Sequence, residues 1–446
     1  MPAGSTDSSQ PPPSWPAPSH RGRLASLCLE WLLEIGTFIL GSLSYRTWFL
    51  IRPLLAHDRR RNRGRNRLIV IAGSLGKTDT TRAIHRVLTG ETEQRLHRLE
   101  NSFSFAAWTL VKQWRRSKLA VLEVGIGGPG HMTEYSRVLC PDLVVMTAIA
   151  SDHLRNFRDQ EHLWHEKSRL IAGLDKSAVA ILNADDSQVM RMASLTRARI
   201  VTFGWEATSD VAIRRCTPTD TGSEVELQSP LGRLVLRTGF LSRHQARSLA
   251  AAVAVGWCEG LSRDQIEIHL AGLSATPGRL QSIPLGRQRT ALCDDFKGGL
   301  ETFESALETW RHRPARRRLA VLGSLYQPPL PVETFYASLA QAAAAQAAHL
   351  VLVGQDARFY AAALAKLPGA PPHDVVATVE EAVHCLESVL QPGDLLLIKG
   401  RGEQKLKRIA LLLAGVDVRC HLRDCALENV LCDECPIVRG WRCVLP

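Results

Sequence analysis

The sequence predicts an α/β protein, a P-loop ATPase domain on a parallel sheet followed by a second Rossmann-like α/β domain. Three observations carry that prediction. Apolar runs alternate with helical stretches from residue 68 to about 205, a second alternating set begins after Pro277-Gly278, and the first strand runs directly into Gly-Ser-Leu-Gly-Lys-Thr. Strict alternation of strand and helix builds a mostly parallel sheet with helices on both faces.

The first elements lie before that pattern. Residues 1–20 are rich in proline and serine, unlike the charged start and apolar core of a signal peptide. Leu24 to Leu55 is apolar, yet Glu30, Glu34, Arg46 and Arg52 interrupt it, and its longest uncharged run, Ile35 to Tyr45, is too short for a span of roughly 20 apolar residues. Trp31, Phe38, Trp48 and Phe49 suit headgroup-level anchoring. Arg59, Arg60, Arg61, Arg63, Arg65 and Arg67 fall within nine residues and contribute much of the net charge of +11. Without interleaved aromatics or a nucleic-acid module, the cluster points to anionic lipid rather than to nucleic acid. The expectation is a disordered start and a membrane-proximal segment over 1–66, with residues 24–67 meeting a membrane surface or a membrane-protein partner and the remainder at the inner, cytoplasmic face. The chain as a whole, 446 residues with 45% hydrophobic and 22% charged, has a soluble composition that excludes wholesale disorder and a polytopic membrane protein.

The first domain is expected over 67–275. Residues 68–81 read as a buried strand, a glycine turn and a helix start. Gly73, Ser74 and Gly76 let backbone N–H groups approach an anion, Lys77 reaches terminal phosphates, and the Thr78 hydroxyl suits Mg²⁺. The general pattern wants glycine six residues before the lysine, where this chain has Ile71. Further strands are expected at Leu119–Val124, Leu143–Thr147, Ala178–Leu182 and Ile200–Phe203, an antiparallel edge over Val211–Leu236, and helices at Ser242–Trp257 and Arg263–Ala271.

Polar residues gather at the strand ends. Glu123 closes the second strand, where a carboxylate facing the phosphate loop would share Mg²⁺ with Thr78. Ser151-Asp152-His153-Leu154 follows the third strand, and His153 is a candidate ligand for a second metal. Lys167 lies in a helix fourteen residues on, and Asn183, a candidate cofactor-binding residue, ends the fourth strand in Ile-Leu-Asn-Ala-Asp-Asp.

The second domain is expected over 276–415, with strands at Leu319–Leu322, Leu350–Val353, Asp374–Ala377 and Leu395–Ile398 and an alanine-rich helix over Phe335–Ala348. Ligands bind beyond the carboxyl ends of such strands, so the expected site is the cleft between the domains. Residues 416–446 form a cysteine-rich tail holding five of the eleven cysteines. Cys420, Cys425, Cys432 and Cys435 admit either a four-thiolate Zn²⁺ site or reduced, unligated cysteines.

The order of phosphate loop, strand-end Glu123, Asp152-His153-Leu154, helix Lys167 and Asn183-Ala-Asp-Asp resembles the Mur ligase family, within it the MurF-like branch, over about residues 67 to 415. The resemblance implies that Thr78 and Glu123 bind one magnesium, that His153 binds a second, and that Lys167 is carbamylated to a metal-orienting carboxylate. It implies catalytic roles for Lys77, Lys167 and His153. Arg279, in Pro-Gly-Arg, would approach the nucleotide, and Asp295, in Asp-Asp-Phe, the ribose. Gln245 stands where the family places an adenine-binding asparagine, and Lys399 and Arg401 match a basic turn that meets substrate.

The implied activity is an ADP-forming, ATP-dependent amide ligase joining a carboxylate acceptor to an amino-acid-like amine through an acyl phosphate, in synthesis of a cell-envelope or polyamide product. The family's N-terminal UDP-sugar domain has no counterpart in the first 66 residues, whose layout is similar to that of poly-γ-glutamate synthetases. A polymerase subunit of that kind, and a nucleotide-binding scaffold of a membrane complex, are the alternatives.

Overall fold

The computed structural model describes residues 48, 52–62, 66–91, 103, 106, 109–110, 118–150, 156–219, 221–326, 331–426, 430–433, 435 and 437–439. Two sheets organise them. The first has eight strands: β1 (Arg67–Ala72), β2 (Leu119–Glu123), β3 (Leu143–Met146), β4 (Val179–Asn183), β5 (Arg199–Gly204), β6 (Val211–Pro218), β7 (Ser223–Ser229) and β8 (Gly232–Thr238), in spatial order β2-β1-β3-β4-β5-β6-β7-β8. Pairing is parallel from β2 across to β6 and antiparallel from β6 to β8. The parallel strands are apolar on both faces because helices cover both faces. Register positions the chemistry: Ile71 lies opposite Glu123, so the acidic end of β2 stands beside the start of the glycine turn that follows β1. Because β2 and β3 flank β1 on opposite sides, the winding reverses at β1, where an open sheet leaves a ligand crevice.

The second sheet has six strands: β9 (Gln281–Pro284), β10 (Thr290–Asp294), β11 (Arg317–Leu322), β12 (His349–Val353), β13 (His373–Val376) and β14 (Asp394–Lys399), in order β13-β12-β11-β14-β10-β9. All pairs are parallel except the edge pair β9–β10. The α/β class and the parallel strands follow the sequence expectation. β9 and β10 do not, having no counterpart among the strands read from the sequence. They are short, and their turn passes through Gly286, Arg287 and Gln288 at positive φ. Pairing of β10 to β14, and of β9 to β10, makes them strands, and the β10–β14 pairing is a long-range contact.

Part of the basic and aromatic segment is turned inward. Arg59 is 3% exposed and is spent inward, donating to Leu139 O (3.1 Å), Asn66 O (2.7 Å) and the Asp142 carboxylate (2.5 Å). Asp142 also accepts the β1 amide of Leu68 at 2.8 Å. Arg67 pairs with Glu259, and Arg52 with Glu134. Trp48, expected at a headgroup surface, is 1% exposed, packed 5.0 Å from Phe103 and near Tyr135. Arg59 and Arg52 dock helical residues 52–61 onto the Leu139–Asp142 corner and onto Glu134, while Arg60 and Arg61 stay exposed. Trp31, Phe38, Phe49, Arg63 and Arg65 lie outside the described residues. No helix among the described residues is long and apolar enough to cross a membrane.

Candidate active site

The turn after β1 is shaped by two glycines. Gly73 has φ +139° and a Cβ there would stand 2.1 Å from Thr147 Oγ1, while Gly76, at φ +77°, starts the Lys77–Thr89 helix and would meet His244 Nε2 at 2.9 Å. No side chain caps this helix, so its first N–H groups point into the turn, the arrangement that favours an anion. Lys77 folds back along the turn, donating to Gly73 O (3.0 Å) and Ser74 O (3.2 Å).

Thr78 is the meeting point of three elements. Its hydroxyl donates to Glu123 Oε2 at 3.0 Å and accepts from Arg279 Nη2 at 3.1 Å. A hydroxyl and a carboxylate oxygen at that separation, beside a helix N-terminus, fit a hard cation that takes its remaining ligands from phosphate and water. Arg279 comes from the start of the second domain and also lies over the Phe296 ring, 5.3 Å from its centroid. One residue thus ties the phosphate turn to the hinge.

Ser74 is a second hub. Its Oγ accepts from Lys167 Nζ at 2.6 Å and from Ala150 N at 2.9 Å. Lys167 is 1% exposed, so the helix lysine points at the phosphate turn, not at solvent. Thr147 closes the other side by donating to Leu75 O at 2.6 Å. Asn183 supports Thr147, donating to its carbonyl at 2.7 Å, and therefore works from behind the turn. His153 lies outside the described residues.

Two sequence assignments are redirected. Gln245 is a helix cap: its side-chain oxygen accepts from Leu241 N (2.8 Å) and Ser242 N (3.2 Å), and its amide reaches Arg279 O at 3.4 Å. A base contact would have to break that capping box, a constraint visible in the Ser-x-x-Gln spacing. Lys399, expected to face substrate, is fully buried and donates to Asp294 Oδ2 at 2.6 Å, to Lys297 O at 2.5 Å and to Thr302 Oγ1 at 3.1 Å. It fastens β14 to the loop after β10, because a buried ammonium needs all its donors satisfied. Cys420, Cys425, Cys432 and Cys435 are free thiols, one of the two states the sequence left open, and among the described residues no group of three or more His, Cys, Asp or Glu side chains is arranged to hold a metal. Cys432 and Cys435 instead pack with Leu411, Val418, Val430 and Val438, and burial pushes the Cys432 thiol up to about 12.

Asp295 and Arg401 remain at the hinge side of the second domain. Asp295 accepts Lys407 N at 2.7 Å, and burial raises its pKa even though that N–H and the Lys407 ammonium oppose the shift. It lines a cleft with Gly278, Phe296, Lys405, Lys407 and Cys432. His244, named in the sequence only as part of a helix motif, packs on Gly76, and the loss of water around it pushes its pKa down to about 4 despite nearby Asp79. It is neutral at physiological pH.

The Mur ligase middle domain family model matches residues 71–256, and the Mur ligase, glutamate ligase domain model matches 278–402. The chain belongs to the Mur ligase family. UDP-N-acetylmuramoyl-tripeptide--D-alanyl-D-alanine ligase of Escherichia coli is 26% identical over 293 residues, covering 64% of this chain and 64% of that protein. The enzyme of the same name from Mycobacterium tuberculosis is 26% identical over 377 residues, 78% of this chain and 73% of the relative. The match to the Escherichia coli relative therefore spans just under two thirds of that protein's length. Among solved structures, MurF from Acinetobacter baumannii superimposes with a TM-score of 0.70 at 21% identity, covering 83% of this chain and 81% of its own. Folylpolyglutamate synthase from Mycobacterium tuberculosis, complexed with ADP, gives 0.60 at 17%, covering 83% and 93%. Both models together span the phosphate turn, Glu123, Lys167, Arg279 and Arg401, so this Mur ligase chain carries the family's two-domain core around the site described above.

Proposed function

We propose that this chain is an ATP-dependent, ADP-forming ligase that joins an acceptor carboxylate to an amine through an acyl phosphate. The observation that carries the proposal is the Thr78 hydroxyl held between Glu123 and Arg279 at the mouth of the phosphate turn. That arrangement supplies an oxygen pair for Mg²⁺ on one side and a cation from the second domain on the other. Mg²⁺ bound there would offset charge on the transferring phosphoryl group.

The chain's own groups do the rest. The backbone N–H groups at the start of the Lys77–Thr89 helix hold the phosphates, and Lys77 leaves its carbonyl partners to follow the γ-phosphoryl oxygens as charge builds there. The acceptor carboxylate attacks phosphorus, ADP leaves, and an amine then displaces phosphate from the acyl carbon. Arg279 links closure of the second domain to the phosphate turn, which keeps water from the acyl phosphate. Lys167, carbamylated, would replace a cation beside Ser74 with an acidic oxygen ligand, and His153 would hold a second metal. Arg401 is the receptor for the amine's carboxylate. D-Alanyl-D-alanine, which appears in the names of the relatives, is one amine to test, with a cell-envelope or polyamide product.

The deciding experiment is ADP release measured with acid and amine varied independently. ADP formed only when both are present, with an equimolar amide, supports the ligase. ADP binding without turnover across a panel of acids and amines sinks it in favour of the scaffold, and a ladder of product masses identifies the polymerase alternative.

A further inference from the structure

The segment after residue 415 lies beyond the stretch matched by the family models, and it runs along the turn that follows β14. Cys425 N donates to Glu403 O at 2.8 Å, Lys405 Nζ to Val430 O at 2.9 Å, and Arg408 to Cys420 O at 2.8 Å and Leu422 O at 2.5 Å. The segment is thus stitched to Glu403–Arg408, and its apolar residues pack on Leu411.

Arg401 stands at the start of that turn and is not satisfied by it. Its Nε is buried without a hydrogen-bond partner. Among the described residues, the carboxylates nearest to it are Asp424 Oδ1, 3.5 Å from Nη2, and Glu403 Oε2, 3.9 Å from Nε. The Glu403 carboxylate is also engaged by the Tyr326 hydroxyl at 3.1 Å. Asp424 is more than half exposed, so the Arg401–Asp424 contact is a loose, solvent-facing one. The turn is close to the hinge: a Cβ on Gly402 would stand 3.1 Å from Phe296 O, and Phe296 carries Arg279, which reaches Thr78.

We propose that Asp424 is an internal stand-in for the amine's carboxylate, held on Arg401 by the C-terminal segment and displaced when a carboxylate-bearing amine binds. This rests on Arg401 being the amine receptor. An under-bonded guanidinium is retained because a carboxylate ligand makes two parallel N–H···O bonds to it, which Asp424 at its present distance does not. The loose internal pair keeps Arg401 neutralised and yields to the better-fitting ligand.

The test uses the full chain and an arginine-directed dicarbonyl, phenylglyoxal, with peptide mapping of Arg401 and Arg408. In Asp424→Asn, Arg401 should label about two- to fivefold faster, the range set by a solvent-exposed ion pair, with Arg408 unchanged. D-alanyl-D-alanine should protect Arg401 at a correspondingly lower concentration in the variant, while its C-terminal amide protects neither protein. An unchanged Arg401 rate, or Arg401 and Arg408 accelerating together as the segment detaches, overturns the proposal. So does protection by the amide equal to that by the acid. ADP release with acid and amine present, run on both proteins, reports on the ligase separately, so a labelling failure beside intact turnover sinks only the internal stand-in.

Discussion

Thr78 has one hydroxyl hydrogen and gives it to Glu123, while its lone pair takes Arg279. Thr78→Val keeps the shape and removes both bonds, and Lys77→Ala removes the mobile cation. Each should lower ADP formation about 100-fold or more with little change in melting temperature, because the lost interactions serve developing phosphoryl charge. Retained turnover in Lys77→Ala would remove the phosphate turn from the mechanism. At Lys167, labelled bicarbonate should give a carbamate carbon signal that Lys167→Ala lacks, and no such signal in the wild type would end the carbamylation proposal. His244 gives a pH prediction. Its folded pKa, about 4, lies below the ordinary histidine value of 6.5, so the unfolded chain takes the proton first. The stability it contributes is complete above about pH 6.5 and declines as pH falls toward 4. Urea midpoints for wild type and His244→Gln across that window should converge at low pH, and parallel curves would count against it.

At the scale of elements, buried polar fasteners decide how strands and helices meet. Lys399 joins β14 to Asp294 at the end of β10, two residues that face each other across the parallel register. Lys399→Ala leaves Asp294 buried without its cation and should cost roughly 3–5 kcal/mol in urea unfolding. A loss below about 1 kcal/mol would mean water replaces the ammonium there. The Ser242–Gln245 capping box is a smaller fastener with a longer reach, since Gln245 also touches Arg279 O. Gln245 was read as part of a motif, although its Ser-x-x-Gln spacing also spells a cap, and the cap wins because a glutamine three residues after a serine satisfies it locally, before any base can compete for it.

For the whole molecule, the two domains are fastened at the hinge by Arg279 and, farther out, by Arg313, which donates to Thr219 O (2.7 Å) and Gly222 O (3.2 Å) at the β6–β7 turn. Arg313→Ala should loosen the resting arrangement, seen as a larger radius in small-angle scattering and a destabilisation of about 1–3 kcal/mol for the orphaned carbonyls. An unchanged profile would show that the hinge contacts alone hold the pose. The local pattern was enough to read most of the parallel strands, the glycine turn and the positions of Lys77, Thr78 and Glu123, because periodicity, glycine placement and strand ends are local properties of the chain, whereas Arg279 was read only through the family resemblance. Which lysine faces the site and which is buried, Lys167 at Ser74 and Lys399 on Asp294, was decided only in three dimensions. The same holds for Arg59, whose charge suggested a surface and whose partner is Asp142, 83 residues away. A cation's role depends on the carboxylate or carbonyl that folding brings to it, and no spacing in the sequence encodes a partner that distant.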